Sequence, residues 1–329
     1  MPARCLAADY RYPRLEGRSS RPWLSVFAAP LLLSIAASAH ASEGASSIYV
    51  PGAYNDFAAG LAPPPGVYAR NDLVRYEGEI GARPLGGRLD AGLEQTLWFN
   101  LLKLTWVTDV EWLGATYIAG INIPYVFDVS VDLNAEFAGQ ERFSTGSNDG
   151  FGDPYLVPIA LNWANGAHHT TAAVGVNIPV GRYDEDDRIN LGRHYWAIDP
   201  TITYSWLPAS GWDLSLTAGI LFNFENDATD YTTGDEFHLD VLAAKYVTPG
   251  FGLGVAGYVY EQLESDSGPV PDRLDDGFRS SGAGVGPAFM KSVSLGQTPV
   301  TLIGKWLHDV SSENRFDGDT VSLSAAWAF

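Results

Sequence analysis

Long runs in which apolar and polar side chains alternate are the main feature of this sequence. In the run from residue 212 to residue 225, one face is apolar and the other mostly polar. The first face is Trp212, Leu214, Leu216, Ala218, Ile220, Phe222 and Phe224, and the second is Asp213, Ser215, Thr217, Gly219, Leu221, Asn223 and Glu225. Strict alternation predicts a β-strand. This run is longer than an ordinary strand of a globular protein, which has about five or six residues. Its length suits a tilted strand that crosses a membrane.

The same pattern recurs along the chain and predicts twelve strands. They are residues 67–79, 95–108, 114–137, 150–163, 168–180, 194–207, 211–226, 234–247, 251–264, 276–292, 298–310 and 317–329. The second strand is the least regular, because Lys103 and Trp106 break its alternation. We therefore predict an all-β fold, a transmembrane antiparallel β-barrel of about twelve strands over residues 67–329.

The connections and the aromatic residues support the barrel. Short links (164–167, 208–211, 248–250) alternate with long ones (181–193, 225–234, 264–276), as periplasmic turns and external loops do in outer-membrane barrels. Several tryptophans fall at strand ends on the short-turn side, where an aromatic girdle is expected: Trp106, Trp112, Trp163, Trp206, Trp212 and Trp327. The terminal Phe329 is typical of barrels that the outer-membrane insertion machinery recognises, so we expect that machinery as a partner.

The N-terminal region predicts export. Five arginines precede an apolar run, residues 23–37, which ends at the small residues Ala39 and Ala41. This pattern predicts a secretory signal peptide over residues 1–41. Its removal takes 5 of the 20 basic and 2 of the 39 acidic residues and leaves a net charge of −22, which argues against nucleic-acid binding. The only cysteine is Cys5, so the exported chain has no disulfide and no thiolate site.

Residues 42–66 match no strand. They contain four prolines together with Tyr49, Tyr54 and Phe57. A barrel of about twelve strands encloses more space than the eight-stranded barrels whose own side chains fill them. The segment is therefore interpreted either as a plug within the lumen, with these three aromatic residues as its contacts, or as a periplasmic tail.

The lumen is the predicted site of function. Alternation turns a set of mostly polar residues inward: Tyr195, Asp199, Thr201, Asn223, Glu225, His238, Asp240 and Lys305. Polar residues that face a water-filled interior would set which solutes pass, although the same residues could simply pair with one another or with the N-terminal segment. Our hypothesis is that an acidic lumen with aromatic residues disfavours anions and admits neutral or weakly hydrophobic aromatic molecules.

Catalytic and metal sites are weighed against this interpretation. No serine lies in a G-x-S-x-G pattern, and the histidines outside the signal (His168, His169, His194, His238, His308) are assigned to the lumen or girdle. Acidic clusters lie at 184–187, at Asp227, Asp230, Asp235 and Glu236, and at Asp272, Asp275 and Asp276. None has EF-hand spacing, so solvated external loops are preferred to calcium sites. We predict no enzyme activity, no cofactor and no metal.

Several long segments resemble one known family. They read VPGAYNDFAAGLAPPPGVY, NIPVGRYDEDDRINLGRHYWAIDPTITYSW, FNFENDATDYTTGDEFHLD and ENRFDGDTVSLSAAWAF. The sequence is similar, from about residue 45 to residue 329, to the family named for the MetA pathway of phenol degradation. The resemblance implies an outer-membrane transporter associated with the catabolism of aromatic compounds, and it supplies no catalytic residues.

These observations predict a channel in the bacterial outer membrane for passive uptake of small molecules. Aromatic compounds such as phenols are the candidate substrates. The expected partners are outer-membrane lipids, lipopolysaccharide and small solutes. The alternatives are a barrel with a sealed lumen that serves adhesion or envelope structure, and an outer-membrane enzyme that modifies lipids.

Overall fold

A computed structural model describes residues 47–82, 90–136, 140–185, 187, 189–269 and 279–329. The predicted signal peptide lies outside the described residues, as do residues 42–46. Asp186 and the third acidic cluster, Asp272, Asp275 and Asp276, lie outside them as well.

The described chain is built from β-strands. They are β1 (Gly66–Ala82), β2 (Asp90–Trp112), β3 (Ala115–Glu136), β4 (Gln140–Phe151), β5 (Tyr155–Asn165), β6 (His168–Asn177), β7 (Ala197–Trp206), β8 (Trp212–Asn223), β9 (Glu236–Thr248), β10 (Phe251–Gln262), β11 (Ser281–Leu295), β12 (Thr298–Glu313) and β13 (Asp317–Ala328). No α-helix with the length and hydropathy needed to cross a membrane occurs among the residues that the structure describes.

The sheet closes on itself. Each strand pairs antiparallel with its neighbours, and β13 pairs with β1 from Tyr68↔Ala328 to Glu79↔Asp317. The prediction of an antiparallel barrel of about twelve strands is confirmed, since twelve of these strands form the closed ring.

The additional strand, β4, was not predicted. It continues as a hairpin from β3, whose first part pairs with β5 and whose last part pairs with β4. The single long run predicted for residues 114–137 hid this change of partner, because the apolar–polar pattern of the sequence continues through it, although the pairing of β3 shifts register at Phe127.

The side-chain burial of β8 is the reverse of that in a soluble protein. Its apolar residues Trp212, Leu214, Leu216 and Phe222 are exposed, while Asp213, Ser215 and Thr217 are buried. Exposed apolar residues around a closed sheet are suited to contact with lipid chains, and the polar residues face the interior. The two faces predicted from the alternation are confirmed.

The two ends of the barrel differ. Connections at residues 113–114, 166–167, 249–250 and 296–297 are tight turns at one end. Longer connections, among them residues 178–196 and 224–235, lie at the other end. The girdle tryptophans Trp106, Trp112 and Trp212 are about half exposed near the tight turns, as expected for residues in a headgroup layer.

The residues before β1, from Ser47 to Pro65, form a segment without regular structure that we call the N-terminal segment. It makes hydrogen bonds to side chains or backbone of several strands: β1, β2, β5, β7, β8, β9, β10 and β12. Strands on all sides of a closed barrel can be reached together only from its interior.

We predict that Leu216→Arg destabilises the barrel by about 2–4 kcal/mol in a lipid bilayer, because a charge near the middle of the lipid-facing surface must be desolvated. Urea titration of the folded protein in vesicles measures the change. The control is Val180→Arg, since Val180 lies outside the strands and is 71% exposed. Equal destabilisation by both substitutions would contradict the assignment of the outer face.

Candidate functional site

One inner wall of the barrel, on β7 and β9, is acidic. Tyr49 of the N-terminal segment donates its hydroxyl to Asp240 Oδ2 at 2.8 Å, and Tyr54 donates to Asp199 Oδ2 at 3.1 Å. His238 lies between these carboxylates, with Nε2 3.1 Å from Asp199 Oδ1 and Nδ1 3.9 Å from Asp240 Oδ2. Tyr49 thus supplies the buried Asp240 with a hydrogen-bond donor, and Tyr54 adds a donor to Asp199, which also accepts from Tyr155 at 2.7 Å.

The same tyrosines stack on the wall. The Tyr49 ring lies 4.7 Å from the His238 ring at 21° and 5.9 Å from Tyr260 at 3°. The Tyr54 ring lies 5.2 Å from His238 at 23°. Offset stacking of this kind adds about 0.5–1.5 kcal/mol per pair to the burial of the rings. Aromatic packing and hydrogen bonding therefore fix the segment at the same place.

Gly219, on β8, lies against the contact between His238 and Asp199 and leaves room for it. A Cβ at this position would collide with His238 Nε2 and would lie 2.8 Å from Asp199 Oδ1. The register pairs Gly219 with His238 and with Thr201 across the neighbouring strands. The glycine thus allows the imidazole to reach Asp199.

A second inner wall, on β1, β2 and β12, is basic. Arg70 binds Asp56 of the segment with two hydrogen bonds, Nη1 to Oδ2 at 2.5 Å and Nη2 to Oδ1 at 3.2 Å. Lys305 donates to Asp56 Oδ1 at 3.0 Å, to Asn55 Oδ1 at 2.9 Å and to the carbonyl of Gly52 at 2.7 Å.

The basic wall also contains one carboxylate, Asp72, which pairs with two of its cations. It accepts a hydrogen bond from Arg70 Nε at 2.5 Å and lies 3.1 Å from Lys103 Nζ. Three cations therefore share two carboxylates, and one of the two belongs to the N-terminal segment. Without Asp56 this wall would carry two uncompensated positive charges.

The charge of Asp56 depends on these cations. Burial alone would raise the pKa of Asp56, but Arg70, Lys305 and Lys103 together hold the pKa of this carboxyl well below its usual value. Because the folded-state pKa is lowered, ionised Asp56 stabilises the bound segment at any pH above its usual pKa of about 3.9.

The end of the segment nearer to β1 is held by β7, β8 and β9. The backbone N–H of Ala58 donates to Asp213 Oδ2 at 2.6 Å, and that of Gly60 donates to Ser205 Oγ at 2.7 Å. Phe57 packs edge-on against Tyr246, with ring centroids 6.2 Å apart. The segment is thus bound along its length, from Ser47 to Gly60.

Beyond the segment, towards the long connections, lies a cavity of about 450 Å³, which we call the outer cavity. Ser47, Tyr49, Val50 and Pro51 of the N-terminal segment are among its lining residues. The rest of its lining is mixed. One wall is apolar and comes from β1, β2, β3 and the β6–β7 connection: Val74, Leu97, Phe99, Val126, Val129, Ile189 and Leu191. Polar and charged residues also line it, among them Tyr76, Gln95, Glu185, Asp187, Arg193 and Arg315. Its size lies within the range of small-molecule sites, about 300–1,000 Å³.

The structure gathers some of the predicted pore residues and separates others. Asp199, His238, Asp240 and Lys305 contact the N-terminal segment or support its contacts. Thr201 follows Asp199 on the same face of β7, in register with Gly219.

Three predicted residues lie at the long-connection end of the barrel. Tyr195 is buried just before β7 and packs with Leu221 and Ile48. Asn223 donates to the carbonyl of Gly234 at 3.1 Å. Glu225 lies beyond the end of β8, and its side chain is exposed.

Sequence reasoning missed two groups of residues that define this interior. The basic wall residues Arg70, Asp72 and Lys103 lie in strands whose inner face was not assigned. Glu236 was placed in an external acidic cluster, but it is fully buried at the start of β9 and binds Ser47 and Tyr260. Within the described parts of the chain, no group of three or more His, Asp or Glu side chains could hold a metal ion.

The sequence and the fold were compared with known proteins. A family model described as "Putative MetA-pathway of phenol degradation" matches residues 81–325. The chain belongs to this family. No curated protein matches the sequence.

The fold of this family member is similar to that of an outer membrane channel from Pseudomonas putida F1. The TM-score is 0.65 at 17% sequence identity, over 85% of this chain and 100% of the channel. A Pseudomonas aeruginosa FadL homologue aligns with a TM-score of 0.36 at 12% identity, over 89% of this chain and 96% of the homologue. The second alignment is too loose to bear on function, and the first establishes the fold.

We predict that Lys305→Met loosens the N-terminal segment, because it removes three hydrogen bonds made by one ammonium group, each worth about 1.5–3 kcal/mol. Amide hydrogen exchange of residues 52–57 should become at least about tenfold faster. Lys291→Met is the matched control, since Lys291 is exposed on β11 and lies over the Phe251 ring. Unchanged protection of residues 52–57 would show that Lys305 does not hold the segment.

Proposed function

We propose that this protein is a channel of the bacterial outer membrane for passive uptake of small, largely apolar molecules, and that the N-terminal segment gates it. Aromatic compounds such as phenols are the substrate class we favour. The family to which the chain belongs is described by phenol degradation, and the outer cavity has the apolar lining that such molecules require.

The outer cavity is the observation that carries this proposal. A barrel that served only as a structural element would have no need of an apolar cavity in its interior. Polar solutes would lose hydration without compensation on Val74, Phe99 and Val126, whereas an aromatic ring would gain from leaving water. This apolar wall therefore suits a weakly hydrophobic ring, and the polar lining residues such as Gln95 and Arg193 can accommodate a hydroxyl group on that ring.

Transport in this proposal needs no chemical step. A solute enters the outer cavity, the N-terminal segment moves aside, and the solute diffuses down its gradient between the acidic and the basic wall. Exposure of Arg70, Lys103 and Lys305 would then add a positive surface to the lumen. This modifies the hypothesis from the sequence that an acidic lumen with aromatic residues disfavours anions.

The proposed location follows from the lipid-suited outer face together with the predicted export signal, residues 1–41. In this location the tight turns lie in the periplasm and the long connections face outward. Phe329 remains the proposed contact for the insertion machinery, and lipids and lipopolysaccharide surround the barrel. The rival function is a sealed barrel for adhesion or envelope structure, which the close packing of the N-terminal segment would favour.

We predict that deletion of residues 47–58 raises the single-channel conductance at least tenfold over the full-length protein, because the segment fills the lumen between the two walls. Planar-bilayer recording measures the change. A variant with these residues replaced by a Gly/Ser stretch of equal length separates the loss of specific contacts from the loss of chain length. Unaltered conductance in both variants would favour the sealed barrel.

We also predict that Val126→Asp slows uptake of aromatic solutes several-fold, because a carboxylate in the outer cavity would be strongly hydrated. Uptake of labelled p-cresol at micromolar concentration is compared in a deletion strain that carries each variant. Val180→Asp, which changes an exposed residue outside the strands, serves as the control. Uptake that does not depend on the channel gene would contradict the proposed function.

A further inference from the structure

Tyr49 sits in a slot formed by other parts of the chain. Asp240 and His238 come from β9, and Tyr258 and Tyr260 come from β10. The Tyr49 ring lies 4.7 Å from His238, 5.9 Å from Tyr260 and 6.4 Å from Tyr258, and only 6% of the residue is exposed. Its hydroxyl donates to the fully buried Asp240.

Three residues of this slot, His238, Tyr258 and Tyr260, have hydrogen-bond partners outside the N-terminal segment. Tyr260 is held by hydrogen bonds to Glu236 Oε1 at 3.0 Å and to Ser280 Oγ at 2.9 Å. His238 is held by Asp199, and Tyr258 donates its hydroxyl to Asp309. These three side chains would therefore keep their partners if the N-terminal segment moved away, and Asp240 would lose the donor that Tyr49 supplies.

The slot has the chemistry of a phenol site. The side chain of tyrosine beyond its Cα is p-cresol, and the slot surrounds its ring with aromatic rings and its hydroxyl with a carboxylate. Burial, and then the charge of Asp240, raises the pKa of Tyr49 well above its usual value, so the hydroxyl remains a hydrogen-bond donor. A hydrocarbon of the same shape would leave the buried Asp240 carboxylate without a hydrogen-bond donor. A site that hydrogen-bonds a hydroxyl group binds an analogue without that hydroxyl more weakly for this reason.

The slot also adjoins the route from outside. Tyr49 and Tyr260 both line the outer cavity, so a molecule in that cavity meets the edge of the slot. We propose that the Tyr49 slot of Asp240, His238, Tyr258 and Tyr260 is a binding site for phenolic solutes, which displace Tyr49 and thereby release the N-terminal segment. The proposal rests on the proposed uptake function and adds to it a site, a ligand class and a trigger for opening.

Displacement can be measured as exposure of the N-terminal segment. Cys5 is the only cysteine of the sequence, so Ala53→Cys combined with Cys5→Ser provides a single thiol, which lies within the segment. The rate of its modification by a maleimide is measured in the folded full-length chain, with p-cresol and with p-xylene, which has a methyl group in place of the hydroxyl. We expect p-cresol to raise the rate at least fivefold and p-xylene to leave it nearly unchanged.

Three further substitutions test the slot itself. Tyr49→Phe keeps the ring but loses the bond to Asp240, so half-maximal modification should need several-fold less p-cresol. Tyr49→Ala vacates the slot, and calorimetry should show p-cresol binding at least tenfold more tightly than p-xylene, a preference that adding Asp240→Leu removes because leucine has no acceptor. Heat modifiability on gels verifies that each variant has folded.

The outcomes separate this inference from the proposed function. If p-cresol and p-xylene act alike, or if neither changes the modification rate, the phenol site is wrong. The channel function would still stand if deletion of residues 47–58 opened a conducting pore. If that deletion produced no conductance, the uptake function on which the inference rests would fail, whatever the calorimetry showed.

Discussion

Closure of the sheet through the pairing of β13 with β1 is the constraint on which the rest of the structure depends. In a membrane every backbone N–H and C=O must be paired within the protein, and a ring of strands achieves this without an edge. Once the ring is closed, each strand has one face towards lipid and one towards the interior. The exposed Leu214 and Leu216 and the buried Asp213 and Ser215 on β8 are direct consequences of that geometry.

The interior then has to satisfy its own polar groups. In this barrel the N-terminal segment presents hydrogen-bond donors to the acidic wall and a carboxylate to the basic wall. The phenols of Tyr49 and Tyr54 donate to the acidic wall, and the carboxylate of Asp56 accepts from the basic wall. A buried charge that loses its partner lowers the free energy of unfolding by about 3–5 kcal/mol. The segment and the two walls therefore stabilise each other only when the segment lies where each of these groups has its partner.

Much of the fold could be predicted from the sequence, because the lipid-facing side of each strand must be apolar whatever the lumen contains. The interior could not be predicted to the same extent. The rule that inward-facing residues are polar placed Asp199, His238, Asp240 and Lys305 in the lumen. The rule fails on β2, because Phe99 faces the interior and lines the apolar wall of the outer cavity. The change of partner from β5 to β4 along β3 leaves no mark in the alternation.

A gate built from many such contacts raises the question of what could open it. A solute can shift the equilibrium between two states only by the difference between its affinities for them. A molecule that merely occupies the outer cavity touches Ser47, Tyr49, Val50 and Pro51 only in the closed state, so its binding does not favour release of the segment. A molecule that competes for a position held by the segment binds only when the segment has left it. Because Tyr49 is a ligand-like group at the edge of the outer cavity, its position is where binding of a solute and release of the segment are coupled most directly.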